Sequence, residues 1–233
     1  MARRGFTLVE LSIVLVIIGL LIGGILVAQS MISTAQIQNV IRQLQQYDTA
    51  INNFATKYNQ LPGDSSLFPV PGDNNGHISN SETATTEWGN FWAHLSLGVS
   101  LKNAQGTDYV SFDTTTDPVT SLNIPQFNAK QDKTDFPCLT GAYVDWGYGF
   151  KNYLSYESAR AAIVGLSKDH DPLPPATALV IDIKIDDAKP YTGTVISSEY
   201  GALTIGDCVN GGSDYDVGNV NPACSMLFQL KDY

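Results

Sequence analysis

Positive charge is scarce in this chain. Across 233 residues, 13 Lys plus Arg face 23 Asp plus Glu, a formal charge of -10, and charged residues make up only 15%, against roughly 25% in ordinary globular proteins. That balance excludes a partner held by bulk charge, so no nucleic acid is expected to bind in that way. Histidine and cysteine are equally thin. His77, His94 and His170 are scattered, and Cys138, Cys208 and Cys224 form no Cys-x-x-Cys pair, which leaves no zinc pattern. No Gly-x-Ser-x-Gly, phosphate loop or dinucleotide fingerprint occurs, and the carboxylates Asp182, Asp186 and Asp187 read equally as a solvated turn before Pro190. The chain is therefore not expected to be an enzyme. Proline is missing before Pro62, so no ring interrupts a helix that far along the chain.

What is present is unevenly placed. Apolar residues form 43% of the chain and aromatics 10%, enough for a real core. Leu11 to Ala28, however, is a run of 18 residues broken by one polar side chain, Ser12. A stretch of that length and polarity meets a membrane. Arg3 and Arg4 precede it and the acidic excess follows, which orients the N-terminus inward and the bulk of the chain outward. Three cysteines suit that oxidising side, as one pair and one odd thiol. Three readings of the segment compete: a cleaved secretory signal, a plain anchor, and a segment processed on the cytoplasmic face. Glu10 discriminates among them, because a carboxylate at the lip of the bilayer costs about 2.5 to 3.5 kcal/mol unless something pairs it. Leu26, Val27, Ala28 and Gln29 make a mediocre secretory cut site, and an amphipathic pattern continues straight through it.

The residues MARRGFTLVE, running into LSIVLVIIGLLIGG, resemble the prepilin leader of type IV pilins and type II secretion pseudopilins. The resemblance implies a leader of residues 1–5 that ends in Gly5, its removal by a membrane-embedded prepilin peptidase, and methylation of the new N-terminal Phe6. It also implies a partner for Glu10, the Phe6 amine of a neighbouring subunit, so that the desolvation cost is met only when subunits stack. The expected function is that of a structural filament subunit. Its partners would be the peptidase, other pilin or pseudopilin subunits and the inner membrane. Before assembly it would cross that membrane once with its head in the periplasm, and a place in an extracellular filament would follow. Many pilins carry a helix-kinking proline late in the apolar run; here Val27 stands near that place, and Gly19, Gly23 and Gly24 offer small surfaces. The missing proline and the large head point toward a minor pilin or pseudopilin. The competing reading is a membrane-anchored ligand- or carbohydrate-binding domain that never polymerises.

Beyond the membrane the helical signal persists. Ile37, Val40, Ile41, Leu44, Tyr47, Ile51, Phe54 and Tyr58 recur at steps of three and four, one apolar stripe ended by Asn59 to Asp64. A helix over residues 6–58, membrane-embedded over 6–28 and amphipathic over 29–58, would reach roughly 80 Å at 1.5 Å per residue. The hydrocarbon core takes only about 30 Å of that, so the second half must dock, on its own head rather than in a coiled-coil stalk. The head, residues 59–233, is rich in Gly, Asn, Asp, Ser and Thr and is expected to be a loop-rich α+β domain. Glu87 to Val99 places Trp88, Phe91, Trp92 and Leu95 on one helical face, either as core or as a platform for a sugar. Ala176 to Asp187 alternates like a strand but follows Pro174 and Pro175, which suits a helix start. Thr194 to Ser197, Ala202 to Ile205 and Ser225 to Leu230 read as short strands. LPGD after the long helix, KIDDAKPYTG and the closing cysteine-bounded segment also resemble pilin-like proteins.

Two segments of the head carry candidate sites. Counting Gly76 as the sixth position of a calcium loop puts Asp73 third, Asn75 fifth, Ser79 ninth and Glu82 twelfth. Pro71 falls first and supplies no side-chain oxygen, leaving water, a backbone carbonyl or Asp64 to complete the set. The same residues also suit an ordinary Asn and Gly turn. Calcium is the one cofactor raised. Cys208 and Cys224 bracket a polar segment without an evident core of its own, and a disulfide closing it would contribute about 3 kcal/mol; a cysteine-closed C-terminal loop also recurs among type IV pilins. Cys138 would then be buried and free, or paired by exchange.

Overall fold

The computed structural model describes residues 7–78, 87–103, 105–111, 125, 137–145, 151–158, 173–198, 208–211 and 214–230. Its first element, α1 (Leu8–Tyr58), is one uninterrupted helix of 51 residues. Thr7 caps its N-terminus in extended conformation, and Asn59 closes its C-terminus in the left-handed region at φ 52°, with its N–H on the Ala55 carbonyl at 2.8 Å. The expected start at Phe6 thus becomes Thr7 as cap and Leu8 as first turn; Phe6 itself lies outside the described residues. No ring or insertion breaks the ladder, and a Cβ added at Gly19, Gly23 or Gly24 would meet nothing within 4 Å.

The two halves of α1 live in different surroundings. Between Leu8 and Ile32 the large apolar side chains are exposed, from 46% at Ile18 to 85% at Leu8. From Val40 to Ala55 the stripe is buried, and the head closes over it. Val40, Leu44, Tyr47, Ile51 and Phe54 each contribute roughly 1.5 to 3 kcal/mol by leaving water. The stripe docks on the chain's own head, as its narrow width and few flanking charges suggest.

Against that stripe lie α2 (Glu87–Val99) and α3 (Pro175–Ile185), together with an antiparallel sheet. The sheet contains β1 (Pro137–Asp145), β2 (Lys151–Ser158), β3 (Val195–Ser198) and β6 (Ser225–Gln229), in the order β1-β2-β6-β3. Leu154 of β2 and Val195 of β3 both register with Phe228 of β6. Successive residues of β6, Met226, Leu227 and Phe228, are all buried, so both faces of the sheet are covered at that strand. β4 (Val209–Asn210) and β5 (Asp214–Tyr215) form a separate two-stranded ribbon. The fold is α+β: a long apolar helix followed by a smaller head of helix and antiparallel strand.

Helix α2 is core and offers no sugar platform. Trp88 is 4% exposed, and Phe91, Trp92 and Leu95 are fully buried; Trp92 meets Tyr47 of α1 edge-on with centroids 5.0 Å apart. The ambiguous segment before Pro190 is helix α3, begun by Pro174 and Pro175 as expected. Strands β3 and β6 fall where short strands were expected, whereas the expected strand Ala202 to Ile205 lies outside the described residues.

Where α2 ends on α1, Gly98 is required. A Cβ there would stand 2.5 Å from the Phe54 ring and 3.0 Å from that of Tyr58. The Gly98 carbonyl accepts from Lys57 Nζ at 3.0 Å and Tyr58 Oη at 3.2 Å, which sets a cation at the negative end of α2. Gly98→Ala is therefore expected to destabilise the head by about 1 to 3 kcal/mol, while Gly19→Ala leaves the head unchanged. Thermal unfolding of the two variants checks this, and equal melting temperatures would refute the close contact.

Candidate assembly and ligand sites

At the N-terminus, Thr7 and Glu10 form a reciprocal cap. Glu10 Oε2 accepts from the Thr7 N–H and the Thr7 hydroxyl, each at 2.8 Å, while Thr7 Oγ1 accepts from the Glu10 N–H at 3.3 Å. The pattern Thr-x-x-Glu carries this signal in the sequence. The Glu10 carboxylate thus has hydrogen-bond donors within its own chain. Gly5 and Phe6 lie outside the described residues.

The LPGD turn is a structural knot. Gly63 has φ 90°, and its N–H donates to His94 Nδ1 at 3.0 Å, so Nε2 carries the proton and donates to the Val70 carbonyl at 2.8 Å. Burial lowers the His94 pKa and keeps the ring neutral. Buried Asp64 accepts the Asn75 N–H on Oδ1 at 3.0 Å and the Gly76 N–H on Oδ2 at 2.9 Å. One carboxylate oxygen from each of Asp64, Asp73 and Glu87 lies within 4.8 Å of the others, and the Asp73 N–H donates to Glu87 Oε1 at 2.9 Å.

Of the expected calcium ligands, Asp73 and Asn75 are in view, and Ser79 and Glu82 lie outside the described residues. Asn75 Nδ2 donates to Asp73 Oδ2 at 2.8 Å, and Asn75 Oδ1 accepts the His77 N–H at 2.8 Å, so both take part in turn contacts. The acids brought to Asp73 are Asp64, as expected, and Glu87 at the first turn of α2, which the loop pattern did not include. Desolvation drives the Asp64 carboxyl up to about 6; the Gly76 and Asn75 N–H groups oppose the shift, and the Glu87 charge reinforces it.

At the other end of the head, Cys208 and Cys224 are joined by a disulfide. Their segment is less coreless than its polarity suggests, because Val209, Tyr215 and Ala223 are buried. Leu173 bridges it, with its N–H on the Cys224 carbonyl at 3.1 Å and its carbonyl accepting the Cys224 N–H at 2.9 Å. Cys138 lies on β1, and its side chain is outside what is described.

Tyr215 ties this segment to α3. Its hydroxyl donates to Asp182 Oδ2 at 2.7 Å, which leaves the Ser197 hydroxyl, 2.8 Å away, as donor to Tyr215. The solvated-turn reading fails at Asp182, whose position four residues after Ala178 puts it on the buried side of α3 beside Ala178 and Ile181, at 0% exposure. Asp186 accepts the Thr194 and Val195 N–H groups on one oxygen. Asp187, fully in solvent, accepts the Lys189 N–H at 2.9 Å and the Thr192 hydroxyl at 2.6 Å. Burial pushes the Asp182 carboxyl up to about 6; the Tyr215 hydroxyl and the Ala188 N–H oppose that shift, and the charges of Asp187 and Asp186 add to it.

A half-open cleft of about 470 Å³ lies between α1, α3 and the sheet, lined by Leu44, Asp48, Lys184, Val195 and Phe228 among others.

The raised Asp64 pKa has a defined sign. Below about pH 4 the group costs the fold nothing; as pH rises through about 6, the native state must hold a charge that the unfolded chain solvates more easily. Asp64→Asn removes that dependence. In chelator, the stability of the variant relative to the parent should increase between pH 4 and pH 7.5 by up to about 3 kcal/mol. Parallel denaturant titrations at the two pH values measure it, and a constant difference would show that Asp64 titrates normally.

Comparison with known proteins finds no match to this chain among curated proteins or among solved structures. Its first 26 residues do match a known sequence family. Residues 1–26 carry the prokaryotic N-terminal methylation motif, the motif characteristic of type IV pilins and pseudopilins.

Proposed function

We propose that the chain is a structural subunit, a minor pilin or pseudopilin, of a type IV pilus or type II secretion filament. The coarser statement rests on the methylation motif, which marks a pilin-like or pseudopilin-like substrate of prepilin peptidase and a structural rather than catalytic family. One observation carries the finer one. The exposed apolar half of α1, Leu8 to Ile32, continues without a break into the half buried in the head. The first half needs an apolar surround, which a membrane supplies before assembly and neighbouring α1 helices supply afterwards. The head then stands in the periplasm and later on the outside of a filament.

In this reading the peptidase cuts between Gly5 and Phe6, Phe6 is methylated, and its amine pairs with Glu10 of the adjacent subunit. A carboxylate accepts several hydrogen bonds, so Glu10 can keep Thr7 and take the amine as well. The cleft between α1 and the sheet supports the competing reading of an anchored ligand-binding domain. The Asp73 loop is proposed on its sequence pattern as a weak calcium site, in which Asp73, Asn75, Ser79 and Glu82 supply oxygens.

Two variants test the filament reading. Gly5→Val should retain the leader, and Glu10→Val should insert and be cleaved normally yet drop out of sheared filaments and intersubunit crosslinks. Normal incorporation of the Glu10 variant, or an N-terminus at Phe6 in the Gly5 variant, would overturn it. For the loop, calorimetry on the full chain should show calcium heat with a Kd of around 0.1 to 1 mM that Glu82→Gln reduces; unchanged heat leaves an ordinary turn.

A further inference from the structure

The cleft between α1, α3 and the sheet has an apolar floor and a charged rim. Leu44 and Ile51 of α1, Leu154 of β2, Val195 of β3 and Phe228 of β6 form the floor, and all five are buried. Ile41, Leu44, Asp48 and Ile51 recur along α1 at steps of three and four, so Asp48 takes a place on the helical face that an apolar residue would otherwise continue. Lys184, in the last turn of α3, is the other charged residue of the lining. Both are exposed. Among the described residues neither charged group makes an ion pair or a hydrogen bond, with the other or elsewhere. Lys57, Lys102 and Lys189, by contrast, are engaged with the Gly98 carbonyl, Asp108 and Asp214. One free carboxylate and one free ammonium thus enter the same cleft from different helices.

We propose that this cleft binds a short apolar peptide by its two ends, with the ammonium at Asp48 and the carboxylate at Lys184. The charges choose the class. A ligand of one sign would meet one of them and be repelled by the other, whereas a zwitterion satisfies both. The floor then selects an apolar body, since Leu, Ile, Val and Phe side chains offer no hydrogen bond to a sugar hydroxyl. A single amino acid carries both its charges on one carbon. Asp48 and Lys184, too far apart to pair with each other, call for the wider separation that one or two peptide bonds supply. The Gln45 amide on the same lining can bond the peptide group between them. At about 470 Å³ the cleft falls within the range of small-molecule sites and is too small for a folded partner.

A zwitterionic lipid headgroup carries the same pair of charges, but it stays out of reach. Asp48 lies roughly 24 Å along α1 beyond Ile32, the last of the exposed apolar residues on that helix, at 1.5 Å per residue. The headgroup layer extends only about 5 to 8 Å past the hydrocarbon. In the membrane orientation proposed above, a lipid would have to leave the bilayer to enter, so the ligand comes from the water outside. The peptide site itself rests on the lining of the cleft, and it holds for a subunit that polymerises as for one that does not.

The test is calorimetry on the full chain in a nonionic detergent, with the dipeptide Leu-Leu as probe. Leu-Leu should bind in the millimolar range or tighter. Removing either of its charges, as in N-acetyl-Leu-Leu or Leu-Leu amide, should weaken binding about tenfold or more. Asp48→Asn should weaken Leu-Leu by a similar factor yet leave the acetylated peptide unchanged, and Lys184→Gln should do the same with the amidated one. Both substitutions lie at exposed positions and should melt like the parent. This crossed pattern separates direct pairing from a change in the shape of the cleft. Absence of heat from Leu-Leu at millimolar concentrations, or equal loss of all three peptides in either variant, overturns the site. Tighter binding of glycerophosphoethanolamine, a lipid headgroup without an apolar body, overturns it equally.

Discussion

One stripe of α1 holds the head together. Val40, Leu44, Tyr47, Ile51 and Phe54 are the wall against which α2 and α3 close, in one core with the sheet. The same helix carries the exposed apolar segment toward its N-terminus. Tension or tilt applied to one half therefore reaches the other through a continuous hydrogen-bonded rod, with no proline or insertion to absorb it. The head cannot turn about the helix without breaking its own core.

The second constraint is polar. Loops rich in Gly and Asn leave many backbone N–H groups without secondary-structure partners, and buried ones must be satisfied. Here side chains supply the acceptors. Asp64 takes Asn75 and Gly76, His94 Nδ1 takes Gly63, and Asp186 takes Thr194 and Val195. His94 ties the LPGD turn to α2, Asp186 ties the entry of β3 to the end of α3, and the Asp64 and His94 exchanges each bury a titratable group. Asp64 and Asp182 carry the consequence in raised pKa values of about 6. His94 pulls the other way, since its depressed pKa resists protonation that would set a ring N–H against that of Gly63.

What the sequence revealed follows from period and punctuation. The stripe of α1, the aromatic face of α2 and the double proline before α3 are each local signals, and they locate those helices closely. The sheet was half legible. β3 and β6 are short apolar runs, but β1 and β2, the longest strands described, were missed because PCLTGAYVD and KNYLSYES mix Gly, Ser and Asn into their alternation. Their pairing with each other and with β6 comes from tertiary contact. The sites divide in the same way. Cys208 and Cys224 were readable as a pair because they bracket a segment in need of closure, whereas Glu87 at Asp73 and Tyr215 at Asp182 are partners brought in from distant sequence. The capping box at Thr7 and Glu10 is the exception, a local signal carried by Thr-x-x-Glu alone.

That box changes how the charge at Glu10 should be understood. A bare carboxylate in the bilayer would oppose insertion, and its only relief would be a partner subunit. With two donors from Thr7 on one oxygen, at a helix N-terminus whose dipole favours an anion, much of the cost is offset within the single chain. In the proposed assembly the chain would then wait in the membrane as a monomer, with the second oxygen left to meet a neighbour. An amine offered by another subunit would add a charge-assisted bond to a group already oriented by Thr7, so little ordering would remain to oppose it. The proposed assembly contact would thus be selective in direction: Thr7 fixes which way Glu10 points, and a neighbouring N-terminus can meet it only from the side that the cap leaves open.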